Sequence, residues 1–203
     1  VVARTDPFDR RATEYDRWFD EHRAIYLSEL EAVRTLLPSH SRAIEVGVGT
    51  GRFAQPLGVA TGVEPSAAMG DIARSRGIKV VEAVAEDLPF SDASFDLVLM
   101  VAAICFVEDL GRTLKEAHRV LRDGGHIVLG FLDRDTELGQ EYEKRKGGSE
   151  FYRLARFHSS AEVFDALEQG GFGEVASVQT VFGSATESEE TPSTVEPGHG
   201  AGL

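Results

Sequence analysis

The chain has 203 residues, 42% of them hydrophobic and 27% charged, with a formal net charge of −13 at pH 7. That length suits one domain with a full core. The acidic balance argues against a nucleic-acid partner, whose binding rests on clustered Lys and Arg. No apolar run approaches the roughly 20 residues needed to span a bilayer, so small molecules are the ligands to expect. The single cysteine, Cys105, leaves no internal disulfide and fits a reducing, cytoplasmic setting. A chain that opens on Val1 rather than Met reads as a trimmed piece.

In chain order, residues 1–38 come first. A helical pattern runs from about Asp9 to Leu37 with room for one break, and Pro38 stops it. Tyr15, Phe19, His22, Tyr26, Leu30, Val33 and Leu37 follow steps of three and four and share one face. Strands are predicted at Ala43–Val48, Thr61–Glu64, Lys79–Val84, Phe95–Met100 and His126–Phe131. Helices are predicted between them at Arg52–Leu57, Ser66–Arg76 and Leu110–Leu121, with Gly77 and Gly124 as stops. Such alternation, with strands apolar on both faces, predicts an α/β fold with a doubly wound, mostly parallel sheet.

A charged stretch at about 133–157 is too long for a simple loop and reads as a partly helical insertion. Ser159 or Ser160 can cap a further helix to Gln169, and a strand follows at about Glu174–Phe182. Residues 184–203, rich in Ser, Thr, Glu, Pro and Gly, read as a flexible acidic tail.

The most informative stretch is AIEVGVGTGRF, Ala43 to Phe53. Gly47, Gly49 and Gly51 let the backbone turn out of the first strand and approach a ligand closely. Helix N-terminal amides beyond such a turn suit an anion. A dinucleotide turn of the form G-x-G-x-x-G needs glycine at position 52, where this chain has Arg52. Glu64 ends the next strand, where an α/β sheet places a carboxylate able to accept from two ribose hydroxyls. Together with Glu45, these features point to an adenosyl ligand without a pyrophosphate.

Four stretches in order resemble the class I S-adenosylmethionine-dependent methyltransferases, in their small ubiquinone-biosynthesis-like (type 11) branch. They are EVGVGTG (45–51), GVEPSAAM (62–69), AEDLPFSDASFDLV (85–98) and RTLKEAHRVLRDGGHIVL (112–129). The resemblance spans about Ala43 to Phe182. It implies a Rossmann-like methyltransferase core over residues 39–183, S-adenosylmethionine as cofactor and S-adenosylhomocysteine as product. By the same resemblance, Glu45, Gly47, Val48, Gly49 and Gly51 lie along the methionine part and ribose. Glu64 and Pro65 meet the ribose hydroxyls, Ala85 and Glu86 border the adenine, and Val101 at the end of strand four also contacts the cofactor. Residues 1–38 then form a helical lid.

Two departures stand out. Relatives often carry Asp where this chain has Val84, so the adenine depends on the Ala85 and Glu86 backbone or the Glu86 side chain. Histidines common after strand four are replaced by Cys105 and Phe106, which removes a general base from that loop. The family's last strand also has no apolar counterpart here, so that strand is expected to be missing from this chain by truncation, the alternative being a sheet one strand short.

Methyl transfer from a sulfonium needs orientation and desolvation more than a dedicated catalytic group. Acceptor-pocket candidates are Trp18, Tyr26, Cys105, Arg156 and His158, with His22 and Tyr15 as candidate proton acceptors. The alternatives stay open: ordinary core packing for the stripe of Tyr15, Trp18, Phe19, His22 and Tyr26, a hydrogen-bonded core role for His22, a cap neighbour for His158, a solvated face for Arg156 and a small buried hydrophobe for Cys105. The expected reaction is in-line methyl transfer to a small-molecule acceptor by a monomer or homodimer, with no metal. The rival readings are an NAD-dependent oxidoreductase on a Rossmann sheet and a non-catalytic S-adenosylmethionine-binding module.

Overall fold

The computed structural model describes residues 5–182 and 192–202. Two helices open it, α1 (Asp6–Glu21) and α2 (Arg23–Leu36), and the break falls at His22, whose φ and ψ are non-helical. Then come β1 (Ala43–Val46), β2 (Thr61–Val63), α3 (Ala67–Ser75), β3 (Lys79–Val81), β4 (Phe95–Val101), α4 (Leu110–Val120) and β5 (Leu121–Gly130). The five strands are all parallel in the order β3-β2-β1-β4-β5. Beyond β5 lie α5 (Glu137–Arg145), two single 3-10 turns, α6 (Ser160–Gln169), and a separate antiparallel pair of β6 (Val178–Gln179) and β7 (Glu196–Pro197).

Alternation along the strands builds two cores. Ala43, Leu97, Leu99 and Val128 face the first helix layer with Phe19, Leu30 and Val33, while Ile44, Val46, Val98 and Met100 face Leu114, Ala117, Val163 and Leu167. Because both faces are covered, the central strands are apolar throughout, as parallel sheets require. Helix starts are fixed by side-chain caps: Ser66 for α3, Asp109 for α4, Thr136 for α5, and a full capping box of Ser159 with Glu162 for α6.

Three expectations are corrected. Arg52–Leu57 forms isolated hydrogen-bonded turns rather than an α-helix. Strand β5 begins at Leu121, and its register against β4 jumps from Phe95↔Leu121 to Leu97↔His126, with Gly124 at φ +72° taking up the slack. The tail was expected to be loose, yet Glu196 and Pro197 pair with Gln179 and Val178, and the amides of Ala201 and Gly202 donate to Gln179 Oε1. A strand therefore does follow β6, outside the main sheet. Residues 184–191 and 203 of that tail lie outside the described residues.

The amino-terminal helices are tied to the sheet by charge. Arg52 donates to both carboxylate oxygens of Asp16 at 2.9 Å and to Asp20 at 2.8 Å, while Arg76 from the end of α3 donates to Asp16 Oδ2 at 2.9 Å. The Asp16, Arg52 and Arg76 side chains are each less than one-fifth exposed. Burial pushes the Asp16 carboxyl up, but hydrogen bonds from Arg52 and Arg76 outweigh it and hold the group at about 2 rather than 3.8. A depressed carboxyl contributes stability above its ordinary range and loses it as pH falls through the folded value. Asp16→Asn should therefore cost about 1–3 kcal/mol of unfolding free energy at neutral pH. In urea titrations the gap to the parent should close as pH falls from about 4 to about 2; a pH-independent gap would remove the ion pairs as its cause.

Candidate functional site

The glycine turn leaves β1 with every glycine at positive φ: +75° at Gly47, +54° at Gly49 and +83° at Gly51. The three serve different ends. A Cβ on Gly47 would sit 2.6 Å from the Ala103 Cβ, and a Cβ on Gly51 would strike Ile78. Gly47 and Gly49 line a cavity that Gly51 does not reach, so Gly51 is a packing glycine. The amides of Gly47 and Val48 bond the Val63 carbonyl at 2.8 and 3.0 Å, which fixes the turn against the end of β2.

Two acids flank this turn. Glu64 accepts from the Gly49 amide and the Ser66 amide, both at 2.9 Å. Burial pushes its carboxyl up to about 7 against the pull of those two amides. The Ser66 hydroxyl donates to Asp9 Oδ1 at 2.6 Å, which brings the start of α1 over the same place. Glu45 is 1% exposed and burial holds its carboxyl well above the usual range; its Oε2 has no hydrogen-bond partner among the described residues. Both Glu45 and the turn line the cavity.

The cavity has a volume of about 500 Å³. Tyr15 and Trp18 of α1, Glu29 of α2, Val101 at the end of β4, and Tyr142 and Tyr152 of the insertion are among its walls. The insertion closes against α1 through rings: Phe151 lies 5.5 Å from Tyr15 and 5.6 Å from Phe8, and Phe106 stacks on Tyr152 at 6.0 Å. An Arg11–Glu150 ion pair at 2.8 Å spans the same junction. Ala102, also in the wall, holds φ at +53°, a conformation that L residues adopt at a cost.

Of the residues singled out in the sequence, Tyr15, Trp18, Glu45, Gly47, Val48, Gly49, Val101, Cys105 and His158 meet at this cavity. Glu64 and Pro65 sit beside the turn but outside the cavity wall. Glu86 is turned away: its Oε1 accepts from the amides of Glu108 at 2.7 Å and Asp109 at 3.3 Å, so the side chain is spent on the start of α4. Ala85 packs with the core on that face of the sheet. Tyr26 belongs to the core, its hydroxyl donating to the Arg52 carbonyl at 2.6 Å. His22 stands at the α1–α2 break, stacked on Trp18 at 4.6 Å with Nδ1 3.0 Å from the Trp18 carbonyl, and Arg156 is exposed; neither lines the cavity.

Of the two proton-acceptor candidates, His22 lies outside the cavity wall and Tyr15 is held protonated, and two pocket candidates are shifted as well. Burial raises the Tyr15 hydroxyl far above its ordinary value and the Cys105 thiol to about 12, so both stay protonated. Burial also lowers His158, leaving a neutral ring in the wall.

Sequence reasoning missed Glu29, Tyr142, Phe151 and Tyr152. Glu29 makes no hydrogen bond or ion pair among the described residues, and burial alone lifts its carboxyl to about 8. A signal was available: Ile25, Glu29, Val33 and Leu36 run along one face of α2, so an acid interrupts an apolar stripe. The three aromatic residues lie in the insertion, where no periodicity marked them.

A parallel sheet with a glycine turn and an acid at the carboxyl ends of β1 and β2 is the arrangement of α/β nucleotide-binding folds. A family model described as a methyltransferase domain (type 11) matches residues 44–129. The chain is 44% identical to the uncharacterized protein MJ1123 of Methanocaldococcus jannaschii, over 96% of this chain and 94% of that one. It is 42% identical to the uncharacterized protein Rv2003c of Mycobacterium tuberculosis over 82% of this chain, and spans 60% of that longer protein. The crystal structure of a SAM-dependent methyltransferase from Thermotoga maritima, described as a possible histamine N-methyltransferase, superposes with a TM-score of 0.94 at 50% identity, covering 98% of this chain and 95% of that one. The chain belongs to the class I S-adenosylmethionine-dependent methyltransferases, in the type 11 branch. It is thus an enzyme whose methyl donor is S-adenosylmethionine, and the oxidoreductase reading falls. No helix among the described residues is long and apolar enough to cross a membrane.

The state of Glu29 can be read from stability. A carboxyl raised to about 8 in the fold contributes stability below its ordinary 4.5 and loses it as pH rises through 8. Glu29→Gln, which stays neutral, should match the parent near pH 4.5 and exceed it in melting temperature increasingly up to about pH 8, with a plateau beyond. A parent and variant that track each other across this range would place an ordinary carboxylate at position 29.

Proposed function

We propose that the enzyme moves the methyl group of S-adenosylmethionine to a small-molecule acceptor held in the aromatic cavity. The observation that carries this reading is continuity: Glu45, Gly47 and Gly49 line the same space as Tyr15, Cys105 and Tyr152. The cavity's size and enclosure suit a small organic molecule better than a macromolecular chain. The net charge of −13 supports the same choice against nucleic acid. The Thermotoga relative's description, which names histamine, also supports a small acceptor.

When bound, the cofactor supplies a methyl carbon already activated by its sulfonium. In this proposal the chain's own residues do the rest. Glu64 exchanges its two backbone donors, or adds to them, to accept from the ribose hydroxyls, with Pro65 shaping that edge. The unpartnered Glu45 Oε2 receives a donor from the methionine end, beside the open backbone of Gly47, Val48 and Gly49. Ala85 offers its backbone to the adenine, a task for which the Glu86 side chain is no longer free. Trp18 and Tyr15 exclude water from the reacting line, which strengthens every polar contact inside.

Calorimetry with S-adenosylhomocysteine tests the donor side. Glu64→Ala should weaken binding by about 1.5–3 kcal/mol, as for hydrogen bonds to a charged group. Because the ionised carboxylate is the better acceptor, parent affinity should rise with pH through about 7 and then level off. Unchanged affinity in the variant would take Glu64 out of the ribose site. For the acceptor side, incubation with S-adenosylmethionine and panels of small amines, phenols and carboxylates should release S-adenosylhomocysteine together with a product one methylene heavier. Tight cofactor binding without turnover on any panel would count against a small-molecule acceptor.

A further inference from the structure

Glu29 is a cavity acid that the donor side leaves unused and that no protein group among the described residues meets. It projects from the apolar face of α2, one turn from Ile25 and one from Val33, into a wall that also holds Tyr15, Trp18, Tyr142 and Tyr152. Its charge is felt by the hydroxyls of Tyr15, Tyr142 and Tyr152, which come from α1, α5 and the insertion's second 3-10 turn. Yet it has no hydrogen-bond donor or cation of its own among the described residues. Glu29 is half-buried with its carboxyl on the cavity side, and an acid held there without a protein partner has no packing advantage over Leu or Met. Such a position is explained by a ligand that brings the missing cation.

The rest of the wall points the same way. Glu14, Glu21, Glu29, Glu45, Asp133 and Glu174 all line the cavity, against Arg52, whose guanidinium is already committed to Asp16 and Asp20. An anionic acceptor would enter against this field, and a cation would be drawn in. Aromatic faces around a carboxyl also favour an ammonium, through the ring quadrupoles.

We infer that Glu29 and the surrounding Tyr15, Trp18, Tyr142 and Tyr152 form the acceptor subsite for a cationic primary or secondary amine, with Glu29 as its ion-pair partner and proton acceptor. This rests on the methyltransferase reading above. The amine enters as an ammonium beside the Glu29 carboxylate and gives one proton to it. The freed nitrogen lone pair forms the N–C bond to the donor methyl as the C–S bond breaks; that electron pair stays on sulfur, so the sulfonium becomes a thioether. The nitrogen, now bearing the methyl and the positive charge, leaves as an N-methylammonium, and Glu29 releases its proton to water. Charge and atoms balance with no further reactant. The raised carboxyl of the ligand-free cavity fits a group tuned to take a proton near neutral pH.

The test uses the full chain loaded with S-adenosylhomocysteine and two probes of matched shape, 2-phenylethylamine and its neutral counterpart 2-phenylethanol. Calorimetry should show the amine binding at least about tenfold tighter than the alcohol, a preference of the size that charged hydrogen bonds give. Glu29→Gln should abolish that preference while its affinity for S-adenosylhomocysteine stays within about twofold of the parent. Glu29→Asp, which keeps the charge, should restore part of it. Equal binding of amine and alcohol to the parent, no binding of either, or an amine preference that survives Glu29→Gln would each overturn the inference. Failure of the methyltransferase reading itself looks different: the parent would then not bind S-adenosylhomocysteine at all.

Discussion

The structure hangs on the clamp between Arg52 and the first helix. Arg52 stands where a dinucleotide-binding turn would need glycine, and its guanidinium reaches out of the turn to Asp16 and Asp20, with Arg76 sharing Asp16 from the end of α3. Two cations meet two carboxylates, so the cluster is neutral, and its planar forks match carboxylate geometry. A Lys in place of Arg52 would keep the charge but lose the simultaneous grip on two acids. The consequence is positional. With α1 held on the turn, Asp9 reaches Ser66, and Tyr15 and Trp18 are brought over the cavity beside Gly47 and Gly49.

Three acids, Glu45 and Glu64 buried and Glu29 half-buried, then divide the interior by environment. Glu64 is raised by burial yet satisfied by two amides, Glu45 is raised with one oxygen unpartnered, and Glu29 is raised with no partner at all among the described residues. Each step takes the group further from what a stable core would choose. Strain follows the same map, because Ala102 keeps a left-handed backbone in the cavity wall. Buried acids and backbone strain together concentrate at sites that bind and react.

Much of this was legible in the sequence because parallel strands announce themselves by being apolar on both faces, and all five are found in chain order, the fifth starting early at Leu121. The carboxyl ends of the first three were drawn too long, since Val48 and Val84 are apolar but lie beyond the last sheet pairing. The Arg52–Leu57 helix failed because the turn needs its residues for packing and for the clamp rather than for consecutive hydrogen bonds. Tyr26 and His22 share a stripe with Tyr15, yet the break at His22 rotates α2, so the same periodicity delivers Tyr15 to the cavity and Tyr26 to the core. Glu29 interrupts the adjoining apolar stripe of Ile25, Val33 and Leu36, a signal that marks an odd acid without saying what it faces. The aromatic wall from the insertion depends on contacts across more than a hundred residues, such as Tyr15 to Phe151. Such contacts leave no local signal.

The central claim is that one continuous site joins the Glu64 side of the glycine turn to the aromatic cavity. A crystal structure of the full chain with S-adenosylhomocysteine bound tests it most directly. The account predicts ribose hydroxyls within hydrogen-bond distance of Glu64, a donor on Glu45 Oε2, and a sulfur facing the space between Tyr15, Cys105 and Glu29. A ligand lying elsewhere, with Glu64 still bonded only to Gly49 and Ser66 and the sulfur turned away from that space, would contradict it.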